Sequence, residues 1–299
     1  MLLILVLAVA IFCWKLGSTG LVDETPPLFA ASGRAMAETG DWLTPRVNGL
    51  PRFDKPPLVY WLMGLGYVLP AGSVWDPLGT WAARLPSALA SVLTMLALGD
   101  TLLRYPVRGD SFPRRTAIAA SLAFGLSPLV LIWSRTAVSD SLLTGMLALS
   151  LLCQWRCYAS GSGRRWWLAW IVLAFAVLTK GPVAVVLTGI TLVLFALIRR
   201  DLSGLWTSLR PLQGLVITGL ISLPWYAAEL LVEGQPFWDS FFGYHNLQRL
   251  TSVVNDHLQP WWFFGPVLVV ASFPFTPLLV FGLGRVIADL AGGASSRRI

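Results

Sequence analysis

Apolar windows close to 20 residues long recur along this chain, the length a helix needs to cross a bilayer (about 20 residues). The chain is 56% hydrophobic and only 12% charged, with a mean hydropathy of +0.68, far from a soluble globular average. This predicts an all-α, polytopic helical membrane protein. Spans are expected at 1–21, 82–103, 114–133, 139–158, 166–180, 182–198, 211–231 and 260–283, about eight crossings. Met1-Leu2-Leu3 carries no positive charge and no small-residue cleavage pattern follows, so 1–21 reads as a spanning helix rather than a signal peptide. The three cysteines, Cys13, Cys153 and Cys157, all fall in apolar spans. An odd number with no Cys-x-x-Cys pair argues against a disulfide framework or a structural zinc site.

The net charge of +7 does not imply nucleic acid, because the basic residues sit at segment ends and not along one face. Arg104, Arg108, Arg114 and Arg115, then Arg156, Arg164 and Arg165, then Arg199, Arg200 and Arg210 mark alternate connections. Arg285, Arg297 and Arg298 mark the tail. By the positive-inside rule these loops and both termini are cytoplasmic in a plasma (inner) membrane. The outer face then receives a long first loop over 22–81, the Arg135–Asp140 turn, the Lys180-Gly181-Pro182 hairpin and the Glu233–Gln259 loop. Trp61, Trp81, Trp133, Trp225, Trp261 and Trp262 are expected near that boundary as an aromatic belt. Within the first loop, Pro26 to Thr39 predicts a short helix on the membrane. Leu58 to Leu69 is apolar but too short to span comfortably, which predicts an interfacial or re-entrant segment.

Six of the 15 acids lie in or beside this first loop: Asp23, Glu24, Glu38, Asp41, Asp54 and Asp76. The topology gathers Asp23, Asp54, Lys55, Asp140, Lys180, His245 and Arg249 at one face, where ionisable groups reach water or a partner. Carboxylates, a histidine and several cations suit a reaction with a phosphate leaving group: cations stabilise the departing charge while a carboxylate takes a proton from a hydroxyl. Each residue also has a plainer reading. Asp23 can cap the next helix, although Glu24 beside it doubles the local acid; Asp140 can cap its own helix. Asp54-Lys55 can be an exposed ion pair, although the two prolines that follow fix where both side chains point. Lys180 can snorkel to the interface, and His245 can simply be solvated. The charges crowd the outer boundary and not the bilayer midplane, and no inverted repeat is visible, which argues against a transporter.

The segments Asp23-Glu24, Glu38-Thr39-Gly40-Asp41-Trp42-Leu43-Thr44-Pro45-Arg46 with Asn48-Gly49, and Phe53-Asp54-Lys55-Pro56-Pro57-Leu58-Val59-Tyr60-Trp61 follow one another in order. After them come Ala83-Arg84-Leu85-Pro86-Ser87, Asp140, Leu178-Thr179-Lys180-Gly181-Pro182, Leu223-Pro224-Trp225-Tyr226 and His245-Asn246-Leu247-Gln248-Arg249. Together they resemble the bacterial branch of the GT-C membrane glycosyltransferases, which includes the aminoarabinose transferases of lipid A and the protein mannosyltransferases. The resemblance covers nearly the whole chain as one transmembrane domain.

It implies an inverting transfer of a sugar from a polyprenyl-phosphate carrier to a hydroxyl acceptor (lipid A, a glycan or a protein) at the outer face. By that analogy Asp23, with Glu24, is the candidate base or acceptor-orienting acid, and Asp140 a second acid at the site. Lys55, Arg249 and Lys180 would hold the donor phosphate. Asp54 and His245 would bind a divalent metal, zinc, manganese or magnesium. Two departures stand out. Thr25-Pro26-Pro27-Leu28-Phe29 replaces the Arg-Tyr-Ala-like run that the family commonly shows after its acidic pair. Family members also usually continue into further spans and an outer soluble domain. A non-catalytic relative that binds carrier lipid or a partner chain is the alternative reading.

Overall fold

The computed structural model describes residues 1–69, 78–107, 109–161, 163–248, 259–260 and 262–291. Arg249, Asp76, His257 and Trp261 lie outside the described residues. The chain begins with α1 (Leu2–Cys13) and enters the first loop, which holds α2 (Thr25–Thr39), a hairpin of β1 (Arg46–Val47) and β2 (Leu50–Pro51), and α3 (Leu58–Val68). The membrane domain continues through α4 (Trp81–Arg104), α5 (Pro113–Gly125), α6 (Pro128–Ser134), α7 (Asp140–Ser160) and α8 (Trp166–Lys180). Then come α9 (Val183–Arg199), α10 (Leu202–Leu209) and α11 (Pro211–Glu233). One helical turn, α12 (Gln235–Phe237), runs into a π-helical segment, Trp238–Gln248, before α13 (Phe264–Ala271) and α14 (Thr276–Ala291).

The polytopic helical architecture follows the hydropathy, but several segments depart from simple crossings. Among the described residues, two helices, α4 and α11, are by themselves long and apolar enough to span, or up to four if each bent pair counts as one span. The segment expected at 114–133 is α5 and α6, bent by 64°, and the one expected at 260–283 falls on α13 and α14, bent by 115°. Hydropathy sees composition and not direction, so a run can satisfy the window while its backbone turns. The 1–21 segment is helical only to Cys13. Arg135 Nη2 donates to Trp14 O at 2.8 Å beyond that point. Arg84, 7% exposed, donates to the carbonyls of Leu16, Thr19 and Gly20 at 2.8 Å each. Free carbonyls at a helix end need donors when water is excluded, and two guanidiniums supply them.

The expected aromatic belt is also partly corrected. Trp225 is buried and its Nε1 donates to Leu43 O at 3.0 Å, while Trp61 Nε1 donates to Trp42 O at 2.6 Å. Trp225 thus ties the first loop to α11, and Trp61 fixes α3 to the Trp42 stretch of the same loop; Trp133 and Trp262 remain exposed. The segment expected as interfacial or re-entrant is α3, which buries Val59, Tyr60 and Met63 on one face and leaves Leu65 and Val68 exposed.

Two apolar clusters hold the domain. One joins α1, α4 and α5 around Phe12, Leu16 and Met95; the larger joins the first loop to α7, α8, α11 and the π-helical segment. In an apolar surround, helices associate through close backbone approach and hydroxyl hydrogen bonds. Ser150 Oγ donates to Ala169 O at 2.8 Å, Thr218 Oγ1 to Trp170 O at 3.1 Å, and Ser87 Oγ to Thr136 O at 2.8 Å. Gly214 on α11 faces the Trp170 indole so closely that a Cβ would stand 2.0 Å from it. A Gly214→Ala variant is therefore expected to lose about 1–3 kcal/mol, seen as a lower Tm in detergent. Gly189→Ala, where a Cβ meets nothing within 4 Å, is expected to leave the Tm unchanged or higher.

Candidate active site

Local turn chemistry places the central motif. Asn48 (φ 52) and Gly49 (φ 79) take the two left-handed positions of the hairpin turn, as a tight two-residue connection requires. Arg46 then pairs with Pro51 and Val47 with Leu50, and Arg52 N–H closes the hairpin on Pro45 O at 2.7 Å. Pro56 and Pro57 force the chain out of the hairpin and into α3, which carries Tyr60 back under Asp54.

Asp54 sits in a dense polar cluster. Arg52 Nη2 reaches Oδ2 at 2.7 Å and the Tyr60 hydroxyl donates to Oδ1 at 2.8 Å. Lys55 Nζ donates to the Asp54 carbonyl at 2.8 Å and lies 4.0 Å from Oδ2. The side chains of Arg52, Asp54 and Lys55 are 18%, 16% and 15% exposed, so this is not the solvated ion pair of the plainer reading. Burial pushes the Asp54 carboxyl up, but the charges of Lys55 and Arg52 and hydrogen bonds from Tyr60 and Arg52 outweigh it and hold the group below its ordinary 3.8. The cluster carries two cations against one carboxylate, a balance suited to receiving an anion. Arg52 also lies over the Phe29 ring at 5.4 Å, and Phe29 stacks on Tyr60 at 5.2 Å. Sequence reasoning passed over both Arg52 and Tyr60; the one available signal was an arginine two residues before an acid in extended chain, which shares its side.

An aromatic cluster joins this motif to the other candidate residues. Phe53 packs edge-on against Phe237 at 5.5 Å, Phe237 against Trp225 at 5.7 Å, and Tyr226 against Phe241 at 5.5 Å. A Cβ on Gly181 would lie 3.2 Å from the Phe241 ring and 3.7 Å from Asn246 Oδ1. The Lys180 turn and the segment bearing His245 are thereby brought together. Lys180 and Asp140 meet directly, with Nζ 2.6 Å from Oδ1; the α7–α8 hairpin puts the start of one helix beside the end of the other. The Asp140 carboxylate also edges a cavity of about 330 Å³ that Ser91, Thr94, Ser141 and Thr144 help to line.

Asp23 and Glu24 stand apart. Both are exposed, just beyond the irregular stretch after α1 that Arg84 tethers. Asp23 takes a left-handed φ of 77, tolerated by aspartate, and its Oδ1 accepts the Glu24 N–H at 2.8 Å. Among the described residues, no hydrogen bond or ion pair links either acid to Asp54, Asp140 or His245.

A second set of contacts clamps the loop to α11. Thr44 Oγ1 donates to Glu229 Oε2 at 3.1 Å, and Glu229 is fully buried. Arg46 bridges Asp41 at 3.2 Å and Glu233 at 2.6 Å. Burial raises the Asp41 carboxyl, but the Thr44 and Leu43 N–H groups and Arg46 lower it further than burial lifts it.

For a metal, a carboxylate with an imidazole is the right ligand chemistry. Among the described residues, however, no three His, Cys, Asp or Glu side chains converge as a cage. Both Asp54 oxygens already accept hydrogen bonds, so a cation at Asp54 competes with Arg52 for Oδ2.

The sign of the Asp54 shift gives a prediction. A carboxyl whose folded value is depressed adds stability above its unfolded value and loses it as pH falls through the folded one. The stability gap between wild type and Asp54→Asn, read from Tm against pH, is expected to be flat from pH 7 to about 5 and to shrink only below about 4. A gap that grows on acidification would contradict the cluster.

The family described as "Dolichyl-phosphate-mannose-protein mannosyltransferase" matches residues 54–226, more than half of the chain. The undecaprenyl phosphate-alpha-4-amino-4-deoxy-L-arabinose arabinosyl transferase of Pseudomonas aeruginosa (strain UCBPP-PA14) is 32% identical over 263 residues, covering 86% of this chain and 45% of that protein. The corresponding enzyme of Edwardsiella ictaluri (strain 93-146) is 30% identical over 264 residues, covering 86% and 44%. The crystal structure of ArnT from Cupriavidus metallidurans bound to undecaprenyl phosphate superposes with a TM-score of 0.77 at 26% identity, covering 93% of this chain and 49% of that one. The chain thus spans about half the length of the relatives it matches. The matched segment opens at Asp54 and takes in Lys55, Asp140, Lys180, Trp225 and Tyr226. By sequence and fold together, the chain belongs to the dolichyl-phosphate-mannose-protein mannosyltransferase family of multi-pass membrane glycosyltransferases.

Proposed function

We propose that this chain carries the donor site of a glycosyltransferase that moves a sugar from a polyprenyl-phosphate carrier to an acceptor hydroxyl, with inversion. The observation that carries the reading is the half-buried Arg52–Asp54–Lys55 cluster, whose spare positive charge matches a lipid-linked phosphate. For the specific donor we take undecaprenyl phosphate bearing 4-amino-4-deoxy-L-arabinose, a choice supported by the names of the relatives. Lipid A is the acceptor we put first, ahead of a glycan or a protein. An apolar groove of about 510 Å³ between α3, α4 and α7, walled by Leu62, Leu65, Leu89, Leu93 and Met146, is our candidate seat for the prenyl chain. It begins on α3, the helix that directly follows Lys55-Pro56-Pro57.

In this scheme the acceptor oxygen attacks the anomeric carbon from the face opposite the phosphate, and the bond from that carbon to the phosphate oxygen breaks. The acceptor proton passes to a carboxylate, and polyprenyl phosphate leaves with the bonding electrons. Lys55 and Arg52 stabilise that leaving charge. Lys180 joins them once its contact with Asp140 opens, and Arg249 is assigned the same role by motif. Asp23 is the proposed base, with Glu24 beside it; among the described residues its Oδ2 takes no hydrogen bond. Asp140 orients the acceptor. The reaction is assigned to the outer face, with both termini cytoplasmic. In support, Arg165 and Arg199 lie at the ends of α8 and α9 opposite Lys180 and Pro182.

A divalent metal held by Asp54 and His245 belongs to the same proposal, and when bound it would add Lewis-acid stabilisation of the phosphate. Because Arg52 competes for Asp54 Oδ2, Arg52→Ala is expected to tighten zinc or manganese binding in calorimetric titration, and Asp54→Asn to abolish it. Weaker binding in Arg52→Ala would contradict the competition.

The direct test is transfer of radiolabelled aminoarabinose from synthetic undecaprenyl-phosphate donor to lipid A by the purified chain in proteoliposomes. Lys55→Met is expected to lower kcat/KM about 100-fold, and Asp23→Asn to lower kcat about 100-fold. Carrier binding without any transfer would contradict the catalytic reading and leave lipid binding as the activity.

A further inference from the structure

The end of the helix bundle away from the candidate site carries a feature the transfer reaction does not use. The stretch between α9 and α11, expected as a plain basic loop, folds into α10, an amphipathic helix. Leu205 and Leu209 are buried on one side while Leu202 and Trp206 are exposed on the other, 63% and 50%. Trp170 Nε1 donates to Leu209 O at 2.8 Å and fixes the helix to α8. Behind it, α7, α9 and α10 enclose a groove of about 280 Å³ walled by Leu151, Leu152, Leu192, Phe195, Leu205 and Leu209. Its opening is bordered by Tyr158, whose hydroxyl donates to Asp201 at 2.8 Å.

Arginines cluster in the chain segments around α10. Arg199, Arg200 and Arg210 flank α10, and Arg164 and Arg165 come from the α7–α8 connection, where a Cβ on Gly163 would stand 3.7 Å from Ser208 O of α10. Asp201 is the one acid in the α9–α10–α11 connection. Arg199 stands beside Tyr158 and Asp201, and its Nε is buried with no acceptor among the described residues. Arg210 lies over the Trp166 ring at 5.6 Å.

Arg200 and Arg210 end α9 and α10 with left-handed φ values of 52 and 48, the common geometry of a helix C-terminus, and so stand at the two ends of α10.

We propose that this groove and the arginines around α10 form a binding site for an anionic phospholipid. One acyl chain lies along the apolar wall, and the headgroup phosphate sits at the end marked by Arg199, which stands beside the groove-lining Tyr158, with Arg200 and Arg210 adding positive charge at the two ends of α10. An apolar slot with a guanidinium beside its Tyr158 wall matches a molecule whose chain ends in a phosphate, and guanidiniums pair with phosphate through paired hydrogen bonds. Phosphatidylcholine carries its own cation and forfeits that charge match, so the site selects net-anionic lipid. The inference is independent of the transferase reading.

Native mass spectrometry of the full chain, titrated with phosphatidylglycerol or phosphatidylcholine, tests it. The expected result is a retained phosphatidylglycerol adduct and much weaker phosphatidylcholine retention. Arg199→Gln combined with Arg210→Gln is expected to weaken phosphatidylglycerol binding about tenfold without changing phosphatidylcholine. Thr191→Trp, at an exposed position lining the groove, fills the slot from outside and is expected to weaken phosphatidylglycerol binding while leaving the fold intact. Equal binding of the two lipids overturns the proposal. So does unchanged phosphatidylglycerol binding in Thr191→Trp, or binding of glycerol 3-phosphate as tight as that of the lipid.

Discussion

A chain this apolar has few places where charge is tolerated, and that constraint organises the whole molecule. Away from bulk water an ionised group is stable only when paired, hydrogen-bonded or carried to an interface. The structure uses all three solutions. Arg84 and Arg135 spend their guanidiniums on loose carbonyls after α1, Arg156 binds Asp100 at 2.9 Å between α7 and α4, and Asp140 meets Lys180 where two helices end. Much of the remaining charge collects at the ends of the bundle, in the Arg46 and Arg52–Asp54–Lys55 contacts of the first loop at one and around Asp201 and the arginines flanking α10 at the other.

The first loop shows how that constraint yields a site. It is anchored twice, by Trp225, Thr44 and Arg46 on the end of α11 and by Phe53 in the aromatic cluster at the π-helical segment. Between these anchors the backbone of Arg52 to Pro57 has little freedom, so the Asp54 cluster is held in place before any ligand arrives. Pre-formed charge of this kind costs no reorganisation when a phosphate binds or departs. Asp54 then has a structural part to play beside any chemical one, because it keeps two cations close together. Removing it frees both of them, and this is a loss different in kind from removing a base.

Much of this was legible in the sequence, and the physical reason is the same in each case. The helices follow from hydropathy, the short α2 is expected over Pro26 to Thr39, and the shared face of Asp140 and Lys180 follows from chain topology. What was not legible depends on contacts between distant residues. Nothing in the sequence around Asp54 says that Tyr60 folds back onto it, or that Phe53 finds Phe237. Trp61 and Trp225 looked like belt residues because their positions suit the boundary, whereas their indole N–H groups are committed to loop carbonyls. The bends between α5 and α6 and between α13 and α14 sit inside windows that hydropathy reads as straight. The amphipathic α10 was hidden by the arginines on either side of it, which read first as topology signals.

The central claim is that a pre-formed cluster at Arg52, Asp54 and Lys55 receives the carrier phosphate. Hydrogen exchange of the purified chain with and without undecaprenyl phosphate tests it most directly. The account predicts slowed exchange across residues 46–62, greatest in the peptide containing Arg52 to Lys55. Protection confined to other segments, with exchange in 46–62 unchanged at saturating lipid, would contradict it.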